Sequence, residues 1–287
     1  MRVGVGLPNA VPGVSGAHLL AWARRAEAAG FASLATVDRL NYPTADSLTL
    51  LAAAAGATER IDLLANVVLA PAYEAAHLAK RTGTLARLAP GRLRLGLGIG
   101  TRADDYAVAG QDFATRGRRL DELLETLARA WRGEPLAPGV GAPVGVVPAP
   151  VEVPLLLGGQ PRFAAPRVAR WGAGWTIGGG GVELARAGLE AFRDAYREAG
   201  GTGTPPITAL HYVALGANED ESRATLRAYY AHLTDHVDGI VEGAARSPEA
   251  VREVVAAYAD LGVDELVLVA TAADPGQVEP LAAAALG

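Results

Sequence analysis

The chain has 287 residues, half of them apolar, a formal net charge of −5 and no cysteine. Its acidic balance, with Lys80 the one lysine among scattered arginines, argues against a nucleic-acid binder, because neutralising phosphates needs clustered basic side chains. The lack of cysteine excludes disulfides, thiolate catalysis and cysteine-ligated zinc or iron–sulfur clusters.

The opening MRVGVGLPN reads as a strand and turn rather than a signal core, and no run approaches ~18 uncharged apolar residues. A soluble, cytoplasmic protein with no membrane partner is the expectation. No linker-like composition divides residues 1–287, so they are expected to form a single domain.

Strand patterns run over Arg2–Leu7, Ala32–Val37, Ile61–Leu69, Arg92–Ile99, Val153–Leu157, Trp175–Ile177, Ile207–Leu215 and Asp264–Ala270. Helical patterns fill the gaps: His18–Ala29, Asp46–Ala57, Tyr73–Leu88, Arg116–Trp131, Arg162–Trp171, Val182–Ala199, Asp220–His232, Pro248–Leu261 and Gln277–Leu286. The helix from Arg116 shows the period most clearly, with Leu120, Leu123, Leu124, Leu127 and Trp131 on one stripe. The Pro/Gly-rich stretch from Gly133 to Pro154 is an insertion.

Arg92–Gly100, RLRLGLGIG, stands at the centre of this pattern. Leucines and Ile99 take one register while Gly96, Gly98 and Gly100 take the other, and glycine inside a strand marks a tight barrel interior or a close ligand approach. Gly98, Gly100 and Ala103 also satisfy a dinucleotide fingerprint. Its context fails: Thr101–Thr115 carries Asp104, Asp105, Gly110 and Asp112 before any helical period, and Asp121 falls inside the next helix.

Strands alternating with helices, several strands apolar on both faces, describe a parallel sheet buried on both sides. Closing it gives an α/β protein of the (β/α)8 TIM-barrel type; an open doubly wound sheet is the alternative. In a barrel the active site gathers at the carboxyl ends of the strands. That rule selects Asn9, Asp38 with Arg39, the stretch Asn66–Ala70, Gly100–Tyr106, Gly158–Gln160 and Gly178–Gly181. Gly158 and Gly159 on one rim loop, and Gly178, Gly179 and Gly180 on the next, each lead into a helix and offer backbone N–H groups as a phosphate cradle; ordinary glycine turns are the plain alternative. Asp38 either serves the mouth or caps a turn. His18 and His77 read as outer-ring residues, and His211 faces the interior or the pocket. His232 and His236 have metal-pair spacing but no accompanying glutamate, so no metal is expected. With so few reactive side chains, a cofactor should carry the chemistry.

Several segments carry a resemblance: Val37-Asp38-Arg39 with Tyr42-Pro43, Ala57–Ile61, Ala79-Lys80 with Thr84-Leu85, Pro90–Leu93 leading to Leu95–Gly98, Arg116–Arg119 with Asp121-Glu122, Trp131–Gly133, Pro154–Gly159 and Leu261–Leu266. In order and spacing these resemble the luciferase-like family of flavin- and deazaflavin-dependent oxidoreductases. The resemblance implies a (β/α)8 barrel binding FMN or the F420-type 5-deazaflavin coenzyme, with the ring at the mouth and the phosphate near Gly158, Gly159, Gly178 and Gly179. It also implies a bulge with a non-proline cis peptide at Val67-Val68 beneath the ring, and ring or ribityl contacts from Asp38 and Gly100; Asn66 and Gly98 beside them are further cofactor-binding candidates. Many relatives have Asp-His where Asp38-Arg39 stand, and often a glutamate at Asp104-Asp105, so no proton-handling histidine carries over.

The implied activity is oxygenation of a small organic substrate by reduced FMN, fed by a separate flavin reductase, or hydride transfer with deazaflavin. Asp38 and His211 are the catalytic candidates; Asn9, Tyr42, Tyr106 and Phe113 shape the substrate pocket. A homodimer is expected from the family. The alternatives are a cofactor-free barrel acting as a binding subunit, and a phosphate-binding aldolase or isomerase, for which Lys80 on an outer helix is poorly placed.

Overall fold

In a computed structural model, residues 1–137, 145–147, 150–216 and 219–287 are described. Eight parallel strands close on themselves in chain order, which settles the barrel against the open sheet. They are β1 (Arg2–Gly6), β2 (Ser33–Thr36), β3 (Asp62–Leu69), β4 (Leu93–Gly98), β5 (Leu155–Gly158), β6 (Gly174–Ile177), β7 (Ile207–Val213) and β8 (Glu265–Ala270). The helices are α1 (Gly16–Ala29), α2 (Ser47–Ala57), α3 (Ala75–Leu88), α4 (Ala103–Val108), α5 (Arg116–Trp131), α6 (Pro161–Trp171), α7 (Val182–Glu198), α8 (Glu219–Tyr229), α9 (Val237–Glu242), α10 (Pro248–Asp260) and α11 (Val278–Ala285).

Local chemistry fixes the helix ends. The side chains of Ser15, Asp46 and Ser247 accept the backbone N–H of His18, Thr49 and Ala250 at 3.2, 2.7 and 3.2 Å, and Gly30 closes α1 in the left-handed conformation. The leucine stripe of α5 is buried as its period requires. Two elements differ from the sequence pattern. The segment Thr101–Thr115 contains α4 and a 3-10 turn at Phe113–Thr115, and α9 follows α8. Both helices have six residues, too short to establish a period. The dinucleotide reading therefore fails on barrel closure rather than on a missing helix. Part of the Gly133–Pro154 insertion, 138–144 and 148–149, lies outside the described residues.

Strand side chains divide into two sets with the period of two. One packs outward against the helices, as Ile207, Ala209 and Val213 of β7 do. The other fills the barrel: Ala35, Leu64, Leu156, Leu210, Tyr212, Val267 and Val269, roofed by Leu226 of α8 and Val241 of α9. At the amino-terminal floor, Arg94 meets the Glu265 carboxylate at 2.6 and 2.7 Å, and Ser33 donates to it at 2.5 Å. A buried carboxylate held by a two-point guanidinium is the acceptable way to put charge inside a barrel.

The β4 glycines have a particular cause. The β3–β4 register shifts between Ala65 and Val68, and the bulge throws Val67 inward. A Cβ on Gly96 would sit 2.4 Å from the Ala65 carbonyl oxygen, and one on Gly98 2.8 Å from the Val67 side chain. These glycines make room for the protein's own bulge.

Candidate functional site

The bulge lies at the centre of the carboxyl-terminal mouth. The cis peptide joins Asn66 to Val67, one residue before the expected Val67-Val68. Val67 projects into the mouth, whereas Val68 is fully buried in the outer core, so Val68 is not a contact residue. Asn66 is 4% exposed; its Oδ1 accepts the Thr176 hydroxyl at 2.8 Å, and its Nδ2 has no partner among the described residues. A buried donor left open in this way is costly unless something outside the chain takes it.

Two clefts meet over Asn66 and Val67. The larger, about 450 Å³, runs past Gly98, Gly100, Gly158, Gly159 and Gly178 to Arg116 and Arg162. The smaller, about 180 Å³, is bounded by Asp38, Thr101, Gly179, Tyr212, Tyr229 and His232. Gly158, Gly159, Gly178 and Gly179 thus stand on the same end of the barrel as Asp38. Gly180 does not join them: it faces α9 beside His211. The larger cleft ends where α6 begins, a place of positive potential. Arg167 there is neutralised by Asp121 at 2.6 and 2.9 Å, while Arg116 and Arg162 have no carboxylate partner among the described residues.

Asp38 is 7% exposed and holds the end of β3: it accepts the Leu69 N–H at 2.9 Å and the Tyr73 hydroxyl at 3.1 Å. Burial pushes its carboxyl up to about 6, those two donors opposing and the charges of Asp46 and Asp105 adding. Arg39 bridges Asp104 and Asp105 at 3.1 and 3.2 Å, and Asp105 caps Leu40 and Asn41 at 2.9 and 2.7 Å. It thereby ties the loop after β2 to α4.

Several sequence candidates take other roles. His211 points outward from β7, because Leu210 and Tyr212 on either side of it point in. It packs edge-on against Tyr258 of α10, with neither ring nitrogen in a hydrogen bond of normal geometry. Burial draws it down to about 4, against an opposing pull from the Gly243 backbone, so it is a neutral core residue that lines neither mouth cleft. Asn9 is spent on backbone, joining the amide and carbonyl of Val37 at 3.1 and 2.8 Å. Tyr106 is fully buried, donating to the Ile99 carbonyl at 2.6 Å, and Phe113 packs between it and Arg116. Tyr42 lines a side cleft next to Arg39 and Arg102 rather than either of the two clefts over Asn66. Lys80, His18 and His77 lie exposed on outer helices, which removes the lysine that a Schiff-base aldolase would need. The His236 side chain lies outside those described.

The sequence reading missed Arg116, Arg162, Tyr212, Tyr229 and Tyr230; Thr101 and Arg102 lie within the selected stretch Gly100–Tyr106 without roles of their own, and His232 enters only as half of a metal-spaced pair. Arg102 lies over Tyr229 and Tyr230 at 4.5 and 5.6 Å, and its Nε donates to His232 Nδ1 at 3.0 Å. Burial raises the hydroxyl pKa of both Tyr212 and Tyr230, and these two share a hydrogen bond.

A model of the luciferase-like monooxygenase family matches residues 1–278. The chain belongs to that family. Among curated relatives of this luciferase-like chain, an uncharacterized protein of Mycobacterium tuberculosis is 32% identical over 185 residues, covering 55% of this chain and 64% of the relative. An F420-dependent glucose-6-phosphate dehydrogenase of Kribbella flavida is 31% identical over 206 residues, covering 64% and 60%. Each match spans less than two thirds of the relative's length. Among solved structures, monooxygenase RslO1 from Streptomyces bottropensis aligns over 100% of this chain and 97% of its own at TM-score 0.74 and 22% identity. An F420-dependent secondary alcohol dehydrogenase, in complex with an F420-acetone adduct, aligns over 99% and 98% at TM-score 0.79 and 18% identity. At those identities the likeness establishes the shared barrel. No helix of the described residues is long and apolar enough to cross a membrane.

Proposed function

We propose that this luciferase-like barrel is an oxidoreductase that seats the F420-type deazaflavin coenzyme and transfers a hydride between it and a small organic substrate. The observation that carries the reading is the open Asn66 Nδ2, buried where the two clefts meet. The residues fit such a group. Val67 offers an apolar support for a flat ring, and Gly98, Gly100 and Gly178 leave the wall free of side chains. Asn66 supplies a donor for a polar ring edge. Beyond them, the start of α6 with Arg162 and Arg116 supplies cationic ground for a phosphate. A deazaflavin tail continues past its phosphate into carboxylates, and two arginines without carboxylate partners among the described residues suit that longer anion. The dehydrogenase name of the Kribbella relative agrees.

When bound, the coenzyme supplies the hydride. The chain's part is to bind, orient and keep the mouth ordered: Asp38 fixes the backbone of Leu69 beside the bulge, and the Tyr229–Tyr230 segment covers the smaller cleft. The second reading is an FMN-dependent monooxygenase, favoured by the family's own description and by relatives such as RslO1. Turnover separates the two. Reduced F420 should be consumed under nitrogen by a panel of small ketones and aldehydes. Substrate conversion only with reduced FMN and dioxygen would replace the first reading with the second.

A further inference from the structure

Thr101, at the junction of the clefts, and Arg102 and His232, on the wall of the smaller one, form a hydrogen-bond sequence with only one allowed direction. Arg102 Nε is a donor and never an acceptor, so His232 Nδ1, 3.0 Å away, must be bare. The neutral ring then carries its proton on Nε2, which stands 3.1 Å from Thr101 Oγ1. Thr101 Oγ1 accepts that proton's bond, and its own hydrogen is left to donate elsewhere. Arg102 is pinned behind the ring by the Tyr229 carbonyl and by stacking on Tyr229 and Tyr230. Burial and the charges of Arg102 and Arg39 lower the imidazole pKa from its ordinary value, against the opposing pull of Asp104 and Asp105.

We propose that Thr101 hydroxyl, oriented by His232 and Arg102, donates to the carbonyl oxygen of a small neutral substrate in the smaller cleft. Thr101 borders both clefts, so a ligand it holds lies beside the seat assigned to the ring. The other walls of the smaller cleft are largely apolar, with Val37, Leu69, Leu210, Tyr212 and Tyr229 beside Asp38 and the open Asn66 amide. Apolar walls around neutral donors suit a small neutral ketone or aldehyde, whose carbonyl oxygen is its one group in need of a donor. A volume of about 180 Å³ limits it to a small one. Thr101 is the contact residue; His232 and Arg102 are positioning residues. The inference rests on the proposed function for its carbonyl substrate, while its hydrogen-bond direction stands on the chain alone.

The test uses the purified full chain without cofactor. Imidazole nitrogen NMR shifts at about pH 7.5 should show His232 with a bare Nδ1 and a protonated Nε2; the opposite tautomer or an imidazolium overturns the proposal. Cyclohexanone is then titrated while the Thr101 methyl and His232 Nε2–H resonances are followed. Thr101→Val should weaken binding about tenfold and Thr101→Ser should restore it to within about twofold. His232→Leu should weaken it by a similar factor and His232→Gln, which can accept from Arg102 and donate to Thr101, should rescue it. The Thr101→Val/His232→Leu double variant should bind no more weakly than Thr101→Val. Additive losses, failed rescue by serine, or no saturable binding of cyclohexanone to the wild type would each overturn it. Failure of the cofactor reading shows separately, as no binding of F420 or FMN with these results intact.

Discussion

At the scale of single residues, Asp38 shows how position decides role. It sits at the mouth because β2 ends there, and it is held by Leu69 and Tyr73 rather than by solvent. Unfolded, its carboxyl titrates near 3.8; folded, at about 6. Between these values the unfolded chain is ionised while the folded one keeps its proton. Stability contributed by this group therefore falls as pH rises from 3.8 to about 6 and stays lower above that. Asp38→Asn should be more stable than wild type at about pH 7.5, by on the order of 2 kcal/mol, and the two should converge near about pH 4. Urea unfolding at both pH values checks this; an offset independent of pH would contradict it. The residues missed in the sequence share a physical reason. Arg116 and Arg162 stand in the first turns of amphipathic helices, where a charge read from sequence looks like a solvated face. Only closure of the barrel turns them toward the mouth. His211 misled for the opposite reason: its type suggested chemistry, and the alternation of β7, with Leu210 and Tyr212 facing in, turns it outward.

At the scale of elements, the glycines divide into two kinds with different consequences. Gly96 is walled by the Ala65 carbonyl, whereas a Cβ on Gly178 would meet nothing within 4 Å and would stand in both clefts. Gly96→Ala should cost roughly 1–3 kcal/mol because backbone must move. Gly178→Ala should unfold like wild type, within about 0.5 kcal/mol, yet bind F420 or FMN at least about tenfold more weakly. Paired denaturation and binding curves read both. Equal effects at the two positions would show that the mouth is not where the ring sits. The glycine alternation of β4 was legible in the sequence; its cause was not, since the bulge of β3 that fills the space leaves no mark in β4 itself. The strand boundaries were legible to within one or two residues, because parallel strands buried on both faces read as nearly continuous apolar runs between turn signals. The six-residue α4 and α9 were not.

At the scale of the whole molecule, closure depends on joining strands distant in sequence, and the floor does this through charge. Arg94 on β4 and Ser33 on β2 both engage Glu265 on β8. Arg94→Met leaves a buried carboxylate unpaired and should cost about 3–5 kcal/mol, whereas Arg94→Met with Glu265→Leu should recover most of that. Chemical denaturation of the two variants decides it; a double variant as unstable as the single one would mean the pair is needed for closure itself. The mouth at the other end gathers what the sequence scatters. Residues at the carboxyl ends of β2, β3, β4, β5 and β6, together with the end of α8 and the segment after it, converge around Asn66 only once the barrel is closed.

The central claim is that this convergence holds a flavin-type ring above Asn66 and Val67, with its anionic tail toward Arg162. Equilibrium titration by F420 and FMN fluorescence, on the wild type and on Arg162→Ala, tests it most directly. Saturable quenching at one equivalent per chain is predicted, with F420 the tighter ligand and its affinity reduced about tenfold or more in Arg162→Ala. Silence with both compounds, or wild-type affinity in Arg162→Ala, would contradict it.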